Sequence, residues 1–146
     1  IPLRLVGSEM CIRDRICTLY RGDIRCRHNI LKQFYRMYTV IKRMEISAAH
    51  SLSLSYPSKC EYLHGHNWII TVHCRSKELN TDGMVIDFTH IKQVVKDQLD
   101  HRNLNEVLPF NPTAENIARW ICDQLPTCYK VEVQESEGNT AIYEKD

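Results

Sequence analysis

Apolar residues fall at every second position through Tyr38, Val40, Met44, Ile46 and Ala48, with one interruption at Lys42. A spacing of two is what a strand with one buried face requires. The pattern returns from His64 to Lys77, where Trp68, Ile70, Val72 and Cys74 share one side. Between the two stretches, Ser51 to Lys59 is serine-rich, contains Pro57 and reads as a loop. After the turn signal Asn80-Thr81-Asp82-Gly83 the period changes, and Phe88, Ile91, Val94, Val95 and Leu99 take helical spacing, with Asp87 available as a cap. Pro112 and Thr113 open a second helix with the apolar stripe Ala114, Ile117, Ala118, Ile121, Cys122 and Leu125, and Pro126 stops it. Alternation resumes from Tyr129 to Glu135 through Val131 and Val133, and a Gly-containing turn at residues 137–139 leads into Thr140 to Glu144 as a hairpin. The predicted order is ββααββ. It implies an α+β fold, a four-stranded antiparallel sheet with two helices on one face. The other face is left bare, so its burial, or that of the strand edges, by oligomerisation is expected.

At 146 residues the chain suits one domain. Its formal charge of +1 is unevenly spread, about +5 over residues 1–36 and −4 over residues 37–146. The basic part lacks a partner stripe of cations and aromatics in the rest of the chain, which argues against a nucleic-acid surface. Seven cysteines form no CxxC pair and fit a reducing, cytoplasmic setting better than a disulfide scaffold. No apolar run approaches the roughly 20 residues needed to span a bilayer, so no membrane partner is expected. Residues 1–36 show no sustained periodicity, and Val6 to Arg15 resembles the translation of a sequencing-library adapter. This leader is expected to be non-native or a disordered arm, with the folded domain occupying residues 37–146.

Chemistry concentrates in Cys60-Glu61-Tyr62-Leu63-His64-Gly65-His66, with His50 at the end of the preceding strand. Histidines at i and i+2 on a strand point to one side, so His64 and His66 can grip one ion, and His50 adds a third nitrogen if the strands pair. Three imidazoles on Zn²⁺ leave a position open, as catalytic sites do. Gly65 would let backbone or substrate approach closely. A bare His-x-His is also common as ordinary hydrogen-bonding residues, and the other histidines lack such company: His73 is read as exposed on the opposite strand parity, His90 as helix surface. Cys60 is a small buried hydrophobe, a thiolate activated beside the cluster, or a fourth zinc ligand that would make the site structural. Cys74, Cys122 and Cys128 fall at packing positions. Asp100 and His101 place a carboxylate and an imidazole on a short polar loop, which serves a proton shuttle or simply ends a helix. Glu135 on its own is a carboxylate at a strand end.

The runs Ala48-Ala49-His50, Cys60-x-x-x-His64-Gly65-His66-Asn67, Gly83-Met84-Val85-Ile86-Asp87-Phe88, Leu99-Asp100-His101-x-x-Leu104-Asn105, Pro112-Thr113-Ala114-Glu115-Asn116 and Val133-Gln134-Glu135 together closely resemble the 6-pyruvoyl-tetrahydropterin synthase superfamily. The resemblance implies a tunnelling fold (T-fold) whose subunits join sheets into a barrel, commonly a hexamer, with active sites between subunits. It implies zinc on His50, His64 and His66, Cys60 as general base, and Asp100 and His101 as its proton relay. Glu135 would anchor the pterin and join the relay, and Thr113 would contact the pterin. Three residues between Cys60 and His64 resemble the 6-carboxytetrahydropterin synthases of queuosine biosynthesis. The implied reaction converts 7,8-dihydroneopterin triphosphate to 6-carboxy-5,6,7,8-tetrahydropterin, acetaldehyde and triphosphate. The alternatives are pyruvoyl-tetrahydropterin synthesis without side-chain cleavage and a non-catalytic zinc module.

Overall fold

Tyr38–His50 (β1) and His64–Ser76 (β2) pair antiparallel along their full lengths, from Tyr38 opposite Ser76 to His50 opposite His64. The computed structural model describes residues 36–145. Cys128–Ser136 (β3) joins the far edge of β2, and Asn139–Glu144 (β4) joins β3, so the sheet order is β1-β2-β3-β4, antiparallel throughout. The β3–β4 turn uses Gly138 at φ +83°, a left-handed conformation that side chains resist. The expected leader falls, but for Arg36, outside the described residues.

The inner face of the sheet carries Met44, Ile46, Ala48, Trp68, Ile70, Val72, Cys74, Val131 and Val133, all buried. Against it pack Phe88–Lys92 (α1) and Ala114–Gln124 (α3), the latter through Ile117, Ala118, Ile121 and Cys122. Asp87 caps α1, its Oδ1 accepting from the Thr89 amide at 2.7 Å, and Thr113 caps α3, its Oγ1 accepting from Asn116 at 3.3 Å. The two-layer α+β arrangement expected from the periodicities is the one observed. Lys42, the break in the alternation of β1, extends its ammonium over the Phe88 ring, 5.6 Å from the centroid.

Three local features depart from the sequence reading. The first helix is not uniform: α1 passes into a π-helical segment, Gln93–Asp97. The wider turn keeps Ile91, Val95 and Leu99, none with exposed surface, facing the sheet. Leu104–Val107 (α2) is an additional short helix, capped by the Asn103 side chain and anchored by buried Leu104. A third difference concerns His73. It has the opposite parity, as read, but its side chain is only 13% exposed because Glu132 Oε1 lies 3.2 Å from its Nε2. Among the described residues no helix is long and apolar enough to cross a membrane.

Candidate metal centre

Register carries three imidazoles to one end of the sheet. His50 closes β1 opposite His64, which opens β2, and His66 follows two residues later on the same inner face. Their ring centroids lie 4.6, 5.2 and 4.9 Å apart pairwise, and each residue offers a nitrogen within 4.8 Å of the others. Among the described residues this is the only such group of three or more metal-ligating side chains. Trp68, next along the same face, stands edge-on to His50 and His66 at 4.8 and 5.3 Å and donates its indole N–H to the Ala48 carbonyl at 3.2 Å.

Backbone carbonyls decide which nitrogens are free. His50 Nδ1 lies 2.8 Å from the Pro112 carbonyl and His64 Nδ1 lies 2.7 Å from the Tyr62 carbonyl. A carbonyl only accepts, so each Nδ1 carries the proton and each Nε2 is left with its lone pair. His50 Nε2 and His66 Nε2 are buried with no hydrogen-bond partner. Burial pushes His50 below its usual pKa against the opposing pull of the Pro112 bond, and His64 adds to the depression, so the neutral, metal-binding form is favoured. Orphaned buried acceptors cost free energy unless something electrophilic meets them. The donor set therefore fits a divalent metal ion, which His50, His64 and His66 can hold.

The remaining residues singled out in the sequence lie around this centre at different distances. Glu135, near the end of β3, places Oε1 3.4 Å from His50 Nε2 and 3.8 Å from His66 Nε2, and its side chain is 28% exposed. Cys60 sits half-buried on a single 3-10 turn, Lys59–Glu61, started by a Ser58 capping box, and its thiol is outside the three-donor group. Asp100 Oδ1 accepts from the Ser47 amide at 2.9 Å, tying its loop to β1. His101 follows at φ 55°, held by its own amide donating to the Ser47 carbonyl at 2.7 Å, and its side chain is 82% exposed. Its Nε2 is 3.9 Å from Asp100 Oδ1, too long for a hydrogen bond. Thr113 is occupied as the cap of α3. An open cavity of about 820 Å³ brings His66, Glu135, His101 and Arg102 to one wall system, with Asn67 and Ser47 beside them.

Gly65 also lines this cavity. A Cβ there would sit 3.8 Å from the Ala48 carbonyl, an ordinary contact, so backbone packing does not demand the glycine. The sequence reading missed the Pro112 and Tyr62 carbonyls, which have no residue-type signal, and Trp68, whose shared parity with His64 and His66 was a usable one.

Residues 39–146 match the family model described as 6-pyruvoyl tetrahydropterin synthase. A 6-carboxy-5,6,7,8-tetrahydropterin synthase of Synechocystis sp. is 37% identical over 121 residues, covering 73% of this chain and 93% of its own. That of Bacillus subtilis is 29% identical over 119 residues, covering 70% and 82%. The solved structure of Caenorhabditis elegans 6-pyruvoyl tetrahydropterin synthase superposes with a TM-score of 0.62 at 29% identity, over 76% of this chain and 97% of that one.

Proposed function

Because the chain belongs to the 6-pyruvoyl tetrahydropterin synthase family and is an enzyme, we propose that it is a zinc-dependent carbon–carbon lyase of queuosine biosynthesis. Its substrate is 7,8-dihydroneopterin triphosphate, which with one water gives 6-carboxy-5,6,7,8-tetrahydropterin, acetaldehyde and triphosphate. The observation that carries this reading is the convergence of His50, His64 and His66 with the buried, unpartnered Nε2 atoms of His50 and His66. The 6-carboxytetrahydropterin synthases among its relatives support the choice of product.

Zinc bound by the three imidazoles would supply Lewis acidity towards the side-chain oxygens of the substrate. Cys60, as thiolate, takes the carbon-bound proton of the side chain, and Asp100 and His101 orient and relay protons for it. Glu135 accepts hydrogen bonds from the ring N–H and amino group of the pterin, a bidentate pattern that a carboxylate suits. Thr113 contacts the pterin from the start of α3. Among the described residues His101 has Asp100 as its charged neighbour and its side chain is 82% exposed at the open cavity, while Ile41 and Ile142 are 55% and 58% exposed on the bare face. A homo-oligomer, with a hexamer favoured, completes the site between subunits and covers that face.

Incubating the zinc-loaded protein with dihydroneopterin triphosphate tests the reaction. Acetaldehyde together with a 6-carboxy product is the expected result, and a 6-pyruvoyl product without acetaldehyde would assign the chain to the sister activity.

A further inference from the structure

The loop between β1 and β2 carries Cys60, and the hydrogen bonds of its own side chains, Ser58 with Cys60 and Glu61 with Ser58, stay within the loop. Its backbone is gripped from outside. Asn105 Oδ1 accepts from the Ser51 amide and its Nδ2 donates to the Ser51 carbonyl, both at 2.8 Å. Two residues along, Asn111 repeats the arrangement on Ser53, Oδ1 accepting from the amide at 2.9 Å and Nδ2 donating to the carbonyl at 3.0 Å. Each carboxamide is matched by one donor and one acceptor, which fixes its orientation. Residues i and i+2 of an extended segment offer their backbone groups on the same edge, so the two side chains together stand in for a neighbouring strand. The opposite edge is used as well: the Leu52 amide donates to the Cys60 carbonyl at 2.8 Å. The Cys60 amide in turn donates to Ser58 Oγ at 3.2 Å.

Asn111 is itself immobilised. Its carbonyl accepts from the Thr113 amide at 2.8 Å and from Asn116 Nδ2 at 3.0 Å, both at the start of α3. The next residue, Pro112, is the one whose carbonyl orients His50. A single short segment therefore holds a candidate metal ligand through a carbonyl and the thiol-bearing loop through a side chain.

We propose that Asn111, with Asn105, is a positioning residue that sets where the Cys60 thiol stands relative to the histidine cluster. The assignment rests on Cys60 being the base of the reaction proposed above. Neither asparagine touches substrate in this role; both act through the backbone of Ser51–Ser53 and the Leu52 to Cys60 hydrogen bond. A base displaced by about 1 Å loses on the order of 100-fold in rate while substrate binding is largely kept.

The test uses the full chain with zinc bound, comparing Asn111→Ala, Asn105→Ala and Cys60→Ala for zinc content, melting temperature, kcat and KM, with amide exchange of Ser51 and Ser53 alongside. In both asparagine variants we expect full zinc, faster exchange at the released amides, a kcat reduced about 100-fold and a KM within about threefold. Wild-type kcat in folded, zinc-replete variants would overturn the proposal, as would activity that falls only in step with lost zinc. Should Asn111→Ala not fold, Asn111→Asp keeps the acceptor for the Ser53 amide and replaces the donor with a carboxylate oxygen that repels the Ser53 carbonyl; a reduced kcat with zinc retained supports the proposal and an unchanged one overturns it. Activity surviving in Cys60→Ala would remove the thiol from the chemistry, a separate failure that the exchange and kcat of the asparagine variants distinguish.

Discussion

His50 Nδ1 donates to the Pro112 carbonyl at 2.8 Å, a bond between residues 62 positions apart that joins the end of β1 to the start of α3. It selects one imidazole tautomer and turns the lone pair of Nε2 towards His64, His66 and Glu135. The helix layer thereby reaches into the candidate metal centre, although none of its side chains belongs to the three-histidine group.

The depressed pKa of His50 makes the metal-free protein sensitive to acid. Its ordinary value is 6.5, and in the fold the group is pushed lower, chiefly by burial. Below 6.5 the unfolded chain takes up a proton there that the folded chain refuses, so stability from this group is present above that pH and lost as the pH falls towards the folded value. The zinc-free protein should therefore melt at a lower temperature at pH 5.5 than at pH 7.5, and His50→Gln should reduce that difference. Thermal unfolding in chelator at the two pH values measures both.

Cys60→Ala separates the roles of thiol and imidazoles. The thiol lies outside the group of three donors, so its loss should leave zinc content and melting temperature unchanged while activity falls by about 100-fold to 10,000-fold, the usual span for the general base it is proposed to be. Metal analysis beside the acetaldehyde assay reads the two quantities separately. Loss of zinc in this variant would return Cys60 to the role of fourth ligand.

Much of the fold was legible because two periods alternate along the chain and each has one physical meaning. Met44, Ile46 and Ala48 faced by Trp68, Ile70 and Val72 leave one workable register, and that register puts His50 opposite His64. Capping was also local enough to read, as Asp87 and Thr113 show. What stayed hidden depends on long-range placement. Glu135 approaches His50 only because β3 joins β2 in a particular register, with an irregularity between Gln134 and Ser136 in its pairing to β4. α2 is a single turn, and Leu104, Val107 and Leu108, although at helical spacing, cover too short a stretch to stand out as a period. His73 has solvent parity yet is nearly covered by its Glu132 partner, and parity alone does not reveal such a pair.

Glu135→Gln tests the pterin anchor. The substitution keeps the shape and removes the charge that would, in the proposed role, make two hydrogen bonds to a pterin strong, each charge-assisted bond being worth about 1.5–3 kcal/mol. KM should rise by about tenfold or more, and Glu135→Ala should exceed it. Because Glu135 also approaches His50 and His66, zinc content is measured in the same samples and should remain full.

Trp68→Phe probes the platform on which the imidazoles rest. The indole is 1% exposed, meets His50 and His66 edge-on, and ties its N–H to the Ala48 carbonyl on the neighbouring strand. Phenylalanine keeps an aromatic edge for both histidines but loses the hydrogen bond and part of the volume, a cost of about 1–3 kcal/mol. The melting temperature should drop by several degrees, and zinc affinity should fall because His50 and His66 lose a rigid neighbour that limits their rotation. Titration of the apo variant with zinc under a competing chelator, beside its thermal unfolding, reads the two effects. A variant that melts earlier while binding zinc as tightly as the parent would show that Trp68 supports the sheet alone and that the Pro112 and Tyr62 carbonyls suffice to aim the imidazoles.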